Sequence, residues 1–177
     1  MKITLVVIIC LICFSLQKNQ SEPEEGQVFF TDYTQVLHFK FKISKEEVSR
    51  FWSQKGRNDE GYPNCLFDRL PEKLDPKLAE KLFDLGFVRN RIKKKQFGKL
   101  NEIFSYRSTD IITTAECTPT YRDILIFRKK KDVMGIVQIC FTCAQYNIIG
   151  AKVDSRFFGQ FGEFEQLNNL LYPKGNN

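Results

Sequence analysis

The run YRDILIFRKKKDVMGIVQICF occupies residues 121–141. Two β-rich segments, Tyr121 to Arg128 and Asp132 to Phe141, flank three consecutive lysines, which is the pattern of a β-hairpin. With Lys129, Lys130 and Lys131 as a three-residue loop, Arg128 faces Asp132, Ile126 faces Met134, Ile124 faces Ile136 and Tyr121 faces Ile139. Opposite charges then meet and apolar side chains meet, which fixes the register. Tyr146 to Val153 follows as a further strand.

Upstream, Val36 to Ile43 alternates, with Leu37, Phe39, Phe41 and Ile43 on one side and His38, Lys40 and Lys42 on the other. That is a half-buried strand. Val28 to Tyr33 reads as a preceding strand or an extension of it. Ser44 and Glu47 form a capping box, in which each side chain satisfies the other's backbone donor. The helix they open carries Val48, Phe51 and Trp52 as its apolar stripe and stops at Gly56. A loop through Gly61, Pro63 and Pro71 carries Cys65. Asp75 and Pro76 start a second helix, with Leu78, Leu82 and Leu85 along one face and Gly86 as its stop. The triplet Gln96-Phe97-Gly98 recurs as Gln160-Phe161-Gly162, each before an amphipathic stretch. The first predicts a short helix through Leu100 and Ile103, the second a helix over about Glu163 to Leu171. The fold class expected is α+β, an antiparallel, meander-like sheet with helices packed on one face.

The N-terminus reads as an export signal. Lys2 precedes a nearly continuous apolar run from Ile3 to Leu16, too short for a membrane span and suited to a signal-peptide core. Residues 1–21 are therefore expected to be a signal peptide or N-terminal anchor, and 22–177 a single α+β domain. Cys10 and Cys13 raise lipid attachment, but each follows Ile where such signals prefer a small residue. The chain is not expected to be an integral multi-span membrane protein. Its 177 residues carry a net charge of +6, and 42% of them are hydrophobic, including 17 Phe. Lys2 and Lys18 are the only charges before residue 22, so 25 cations face 21 acids in the remainder, a charge of +4. Mild basicity permits an anionic partner without requiring one.

Four cysteines follow the leader: Cys65, Cys117, Cys140 and Cys143. An even number in an exported chain reads as disulfides. The hairpin register puts Cys117 opposite Cys143, leaving Cys65 to join Cys140; the competing arrangement joins Cys140 to Cys143 and Cys65 to Cys117. A redox role for Cys140-Phe-Thr-Cys143 is disfavoured because the motif follows a strand, whereas redox CxxC pairs sit at helix N-termini. A metal set of Cys117, Cys140 and Cys143 with Cys65 or His38 is a weaker alternative, since structural zinc usually shows two compact ligand pairs.

His38 is the sole histidine, and its place on a polar strand face reads as solvated. No nucleophile motif accompanies it. Asp123 stands inside an otherwise apolar strand beside Arg122, read as an acid satisfied by a neighbouring Arg or at a sheet edge. A carboxylate-dependent hydrolase would need a second acid facing it. Phosphate-binding glycine loops are absent, so no cofactor is expected. Two basic clusters, Arg89, Arg91, Lys93, Lys94 and Lys95, and Lys129, Lys130 and Lys131, read as solvated loops first and as contacts to an anionic surface second. Export sets nucleic acid aside as a partner. The function expected is a non-enzymatic, disulfide-stabilised binding module, exported or in the cell envelope, for an unidentified protein or anionic surface. The alternatives are a thiol-redox or metal-binding protein using Cys117, Cys140 and Cys143, and the hydrolase.

Overall fold

A computed structural model describes residues 22–53, 64–66, 68–70, 72–113 and 116–173. The leader segment with Cys10 and Cys13, the stop at Gly56 and the loop residues Gly61, Pro63 and Pro71 lie outside the described residues, as do the side chains of Phe51 and Trp52.

In chain order come β1 (Gln35–Lys40), α1 (Lys45–Ser53), a 3-10 turn (Asn64–Leu66), α2 (Leu78–Asp84), β2 (Val88–Arg91), a 3-10 turn (Lys94–Gln96), α3 (Phe97–Ile103), β3 (Asp123–Lys129), β4 (Asp132–Cys140), β5 (Gln145–Ile149) and α4 (Glu163–Leu171). One five-stranded antiparallel sheet has the order β2-β1-β3-β4-β5, and with its helices the domain is α+β. Strands β3, β4 and β5 form a meander, and β1 inserts between β2 and β3.

The capping box forms at α1: the Ser44 amide donates to Glu47 at 2.8 Å and the Glu47 amide to Ser44 Oγ at 3.1 Å. At α2, Asp75 accepts from the Lys77 amide at 2.8 Å and pairs with Lys81 at 2.7 Å, and chiefly the bond to Lys81 holds its carboxyl below the usual range. Gly86 ends that helix with φ of 89°, a conformation that costs a residue with a Cβ. Leu85, expected on the buried stripe, falls at the end of α2 and is exposed. Helix α4 spans the residues expected of it.

The hairpin forms in a shifted register. Ile124 faces Gln138, Ile126 faces Ile136 and Asp123 faces Ile139, while Lys129 faces Asp132. The tip is tighter than three residues, with Lys130 in the left-handed region at φ 56°, and a bulge at Phe127/Arg128 takes up the difference. The displacement is two residues through the body of the pair, so each side chain keeps its face. Val28 to Tyr33 contributes only a bridge between Val28 and Ser105. Val88–Arg91, expected within a basic loop, is a strand paired with β1.

Helices cover both faces of the sheet rather than one. On one face Val36, Leu125, Phe127, Val137 and Ile139 pack against Phe29, Phe30, Phe104 and Phe158 with Leu100 and Ile103 of α3 and Leu167 of α4. On the other, Leu37, Phe39, Ile124, Ile126 and Ile136 pack against Leu66 and against Leu78, Ala79 and Leu82 of α2. A sheet covered on both faces buries the alternate residues that a one-sided sheet would leave wet.

Candidate functional site

That double cover determines the fate of His38. It points to the aromatic face and is 2% exposed, so the solvated histidine expected from the sequence is a buried one. Facing pairs in an antiparallel sheet share a face, and Lys40 on β1 is opposite Asp123 on β3. His38 and Asp123 therefore lie diagonally across the β1/β3 pair on one side. His38 Nε2 lies 2.7 Å from Asp123 Oδ1, with the ring N–H donating to the carboxylate. The Tyr172 hydroxyl, just past the end of α4, donates to the same oxygen. The Tyr172 ring stands edge-on to His38 at 5.8 Å, with the Lys40 ammonium 4.1 Å above its centre. Asp123 is thus satisfied by His38 and Tyr172 in the central strand of the sheet, not by Arg122 or a sheet edge. Burial first, then the Asp123 charge and hydrogen bond, raise the Tyr172 phenol far above its ordinary value, so it remains a donor.

Asp123, Tyr172 and Lys40, but not His38, form one wall of a cavity of about 620 Å³ where β1 ends and β3 begins. The Phe41 amide donates to the Arg122 carbonyl at 2.8 Å, so the ladder closes one pair beyond the strands and places Lys40, Lys42 and Arg122 around the opening. Phe41, Phe141 and Ile43 supply apolar lining, and Tyr172 closes the α4 side. Two carboxylates border the cavity, and both are engaged: Glu47 in the α1 cap and Asp123 with His38 and Tyr172. Among the described residues Lys42 and Arg122 form no ion pair. The cavity therefore carries an excess of positive charge.

The cysteines divide differently from the full pairing expected. Cys117 and Cys143 form a disulfide, the cross-strand bond anticipated at the hairpin base. Cys65 and Cys140 are free thiols, which corrects their expected bond. Gln138 Nε2 donates to the Cys65 carbonyl at 3.0 Å, which ties the Cys65 turn to β4 at Gln138 rather than at Cys140. The buried Cys140 thiol instead accepts from the Thr120 amide at 3.3 Å and lies 3.3 Å from Thr142 Oγ1. Burial pushes the Cys65 thiol up to about 11, partly offset by a hydrogen bond from its own backbone. Cys140 and Cys143 are thus not a reversible CxxC couple, because Cys143 is already bonded to Cys117. No three His, Cys, Asp or Glu side chains gather as a metal set among the described residues, and His38 is with Asp123 rather than with any cysteine.

Of the basic residues singled out, Arg89 and Arg91 lie on edge strand β2, while Lys93, Lys94 and Lys95 follow it into a 3-10 turn. Lys129, Lys130 and Lys131 form the β3–β4 tip. None of them reaches the cavity; Lys40, Lys42, Arg122 and Tyr172 were not singled out. A signal was present for the first three, which flank the two polar interruptions His38 and Asp123. Tyr172 carries none, being 49 residues from Asp123. Among the described residues no helix is long and apolar enough to cross a membrane. Comparisons with protein families, curated proteins and solved structures returned no match.

Proposed function

We propose that the chain is an exported, non-enzymatic binding module, stapled by Cys117–Cys143, that takes an anionic group of its partner into the cavity between β1 and β3. The observation that carries this reading is the convergence of Lys40, Lys42 and Arg122 on one opening whose two carboxylates are already committed. Its volume is in the range of pockets that take a small organic ligand, and Phe41, Ile43 and Phe141 give it some apolar lining beside its mainly polar and charged groups. Arg122 offers a planar donor fork to a carboxylate, sulfate or phosphate, and the lysines add point charges. The hydrolase reading is weaker: Glu47 and Asp123 border one cavity, but one caps a helix and the other anchors a histidine and a phenol. A disulfide supports an oxidising compartment, as export would supply.

Titration of the protein with phenyl phosphate, followed by amide chemical shifts, tests the site. The expected result is saturable binding centred on Phe41, Lys42 and Arg122, weakened about tenfold by Arg122→Gln, the loss of one charge-assisted bond. Shifts spread over the whole surface, or unchanged affinity in that variant, would remove the reading. Export is tested separately by the mass of the chain secreted from producing cells, expected to begin near Glu22. A full-length chain retained in the cytosol would contradict it.

A further inference from the structure

The edge of the sheet at β2 differs from the edge at β5. All four residues of β2 are exposed, whereas every residue of β5 is at least half-buried. The Ile92 amide donates to the Val36 carbonyl at 3.0 Å. Antiparallel ladders bond every second facing pair, so Asn90/His38 and Val88/Lys40 are the other bonded pairs. The N–H and C=O groups of Arg89 and Arg91 therefore point away from the sheet. Among the described residues nothing pairs with them. An open row of backbone donors and acceptors is a template for another strand.

The side chains along this edge narrow the choice of strand. Arg89 and Arg91 carry charge at the outward-facing positions, and Lys93, Lys94 and Lys95 continue it past the strand end. Arg89, Arg91, Lys93, Lys94 and Lys95 are absent from every ion pair among the described residues. Beside them Phe83 is 63% exposed and Leu85 and Val88 are each 46% exposed, an apolar strip at the end of α2 and the start of β2. A second copy of the same edge would bring five cations against five, so self-pairing is opposed. An acidic segment with alternate apolar residues meets the charge, the backbone and the apolar strip together.

We infer that β2 is a docking edge for an extended acidic segment of another protein, which adds to the sheet as a sixth strand beside Arg89 and Arg91. This surface is separate from the basic cavity and stands whether or not the cavity binds an anion.

The probe is a blocked eight-residue peptide of alternating Glu and Val, added to the isotope-labelled chain. The expected result is saturable binding, slowed hydrogen exchange at the Arg89 and Arg91 amides, and a loss of roughly tenfold in affinity for Arg89→Gln with Arg91→Gln, two exposed substitutions. A peptide of alternating Lys and Val should fail to bind, and so should one with Pro in place of Val, which keeps the charge but cannot pair as a strand. Equal binding by the Pro peptide would reduce the effect to charge alone and overturn the inference. Equal binding by the Lys peptide, unchanged exchange at Arg89 and Arg91, or no binding of the acidic peptide would do the same. Should the double substitution disturb the fold by circular dichroism, the peptide series on the unmodified chain decides the matter.

Discussion

The two faces of the sheet are closed by different chemistry. The aromatic face is a cluster of rings: Phe104 stacks on Phe158 at 5.2 Å, and Phe30 on Phe127 at 4.3 Å. Gly135 makes room for this, since a Cβ there would lie 2.2 Å from the Phe30 ring. The aliphatic face has Leu and Ile from α2 and the strands, and Phe39 and Phe87 in place of a ring cluster. It relies on a polar anchor. Gln138, fully buried in β4, accepts from the Leu70 amide and from Asn147 Nδ2, each at 2.7 Å, and donates to the Cys65 and Asp68 carbonyls. One face is thus filled chiefly by packed rings, with the His38–Asp123–Tyr172 bonds at the end where β1 stops, and the other is pinned across its layers by Gln138. The first should fail by losing packing over a wide area, the second by releasing a loop.

Phe104→Ala should give the largest loss, about 3–5 kcal/mol, because a fully buried ring touching Phe29, Phe30, Phe127 and Phe158 leaves a cavity its neighbours cannot fill. Chemical denaturation measures it; a loss as small as that of an exposed substitution would mean the ring cluster is not what holds this face. Replacing Cys117 and Cys143 with Ala releases a loop closed over a sequence separation of 26 and should cost about 3.5 kcal/mol by the chain-entropy account. Both faces should weaken together, which exchange at Leu82 and Leu125 amides can check.

Gln138→Leu should cost about 1–3 kcal/mol, since the Leu70 amide and two carbonyls lose their partner inside the protein. Faster exchange at Leu70 with little change at Phe104 is expected, and uniform acceleration would contradict a local anchor. The smallest effect concerns chemistry rather than stability. With the Cys65 thiol raised from 9.0 to about 11, its thiolate fraction at pH 8 is about a hundredfold below that of an ordinary thiol. Alkylation by iodoacetamide should be slow by that factor and rise about tenfold per pH unit up to about 11. In Gln138→Leu it should quicken, while a rate typical of exposed thiols in the unmodified chain would refute the burial assigned to it.

Local signals were legible where they act within a few residues. The Ser44/Glu47 box, the Asp75 start with Gly86 stop, and the alternation of β1 all follow from neighbouring side chains. The side of each strand was readable for the same reason, and a two-residue register shift leaves it intact. What alternation cannot say is whether the polar side of a strand meets water or a second layer. His38 was therefore placed in solvent, and the helices on one face, because the second layer is built by segments far along the chain. Tyr172 and Gln138 belong to the same class. Each bonds partners 49 to 73 residues away, and neither has a neighbour in sequence that betrays it. The basic strand β2 was hidden for another reason: its charges suit an edge, and edges imitate loops in composition.

Gln138 grips its loop entirely through main-chain atoms, the amide of Leu70 and the carbonyls of Cys65 and Asp68. A tether of that kind is indifferent to which side chains the loop carries. The exposed positions Asp68 and Arg69 can accordingly change in composition, gaining or losing charge over evolutionary time, while Leu66 in the core and the glutamine that clasps the loop stay the costly residues to replace.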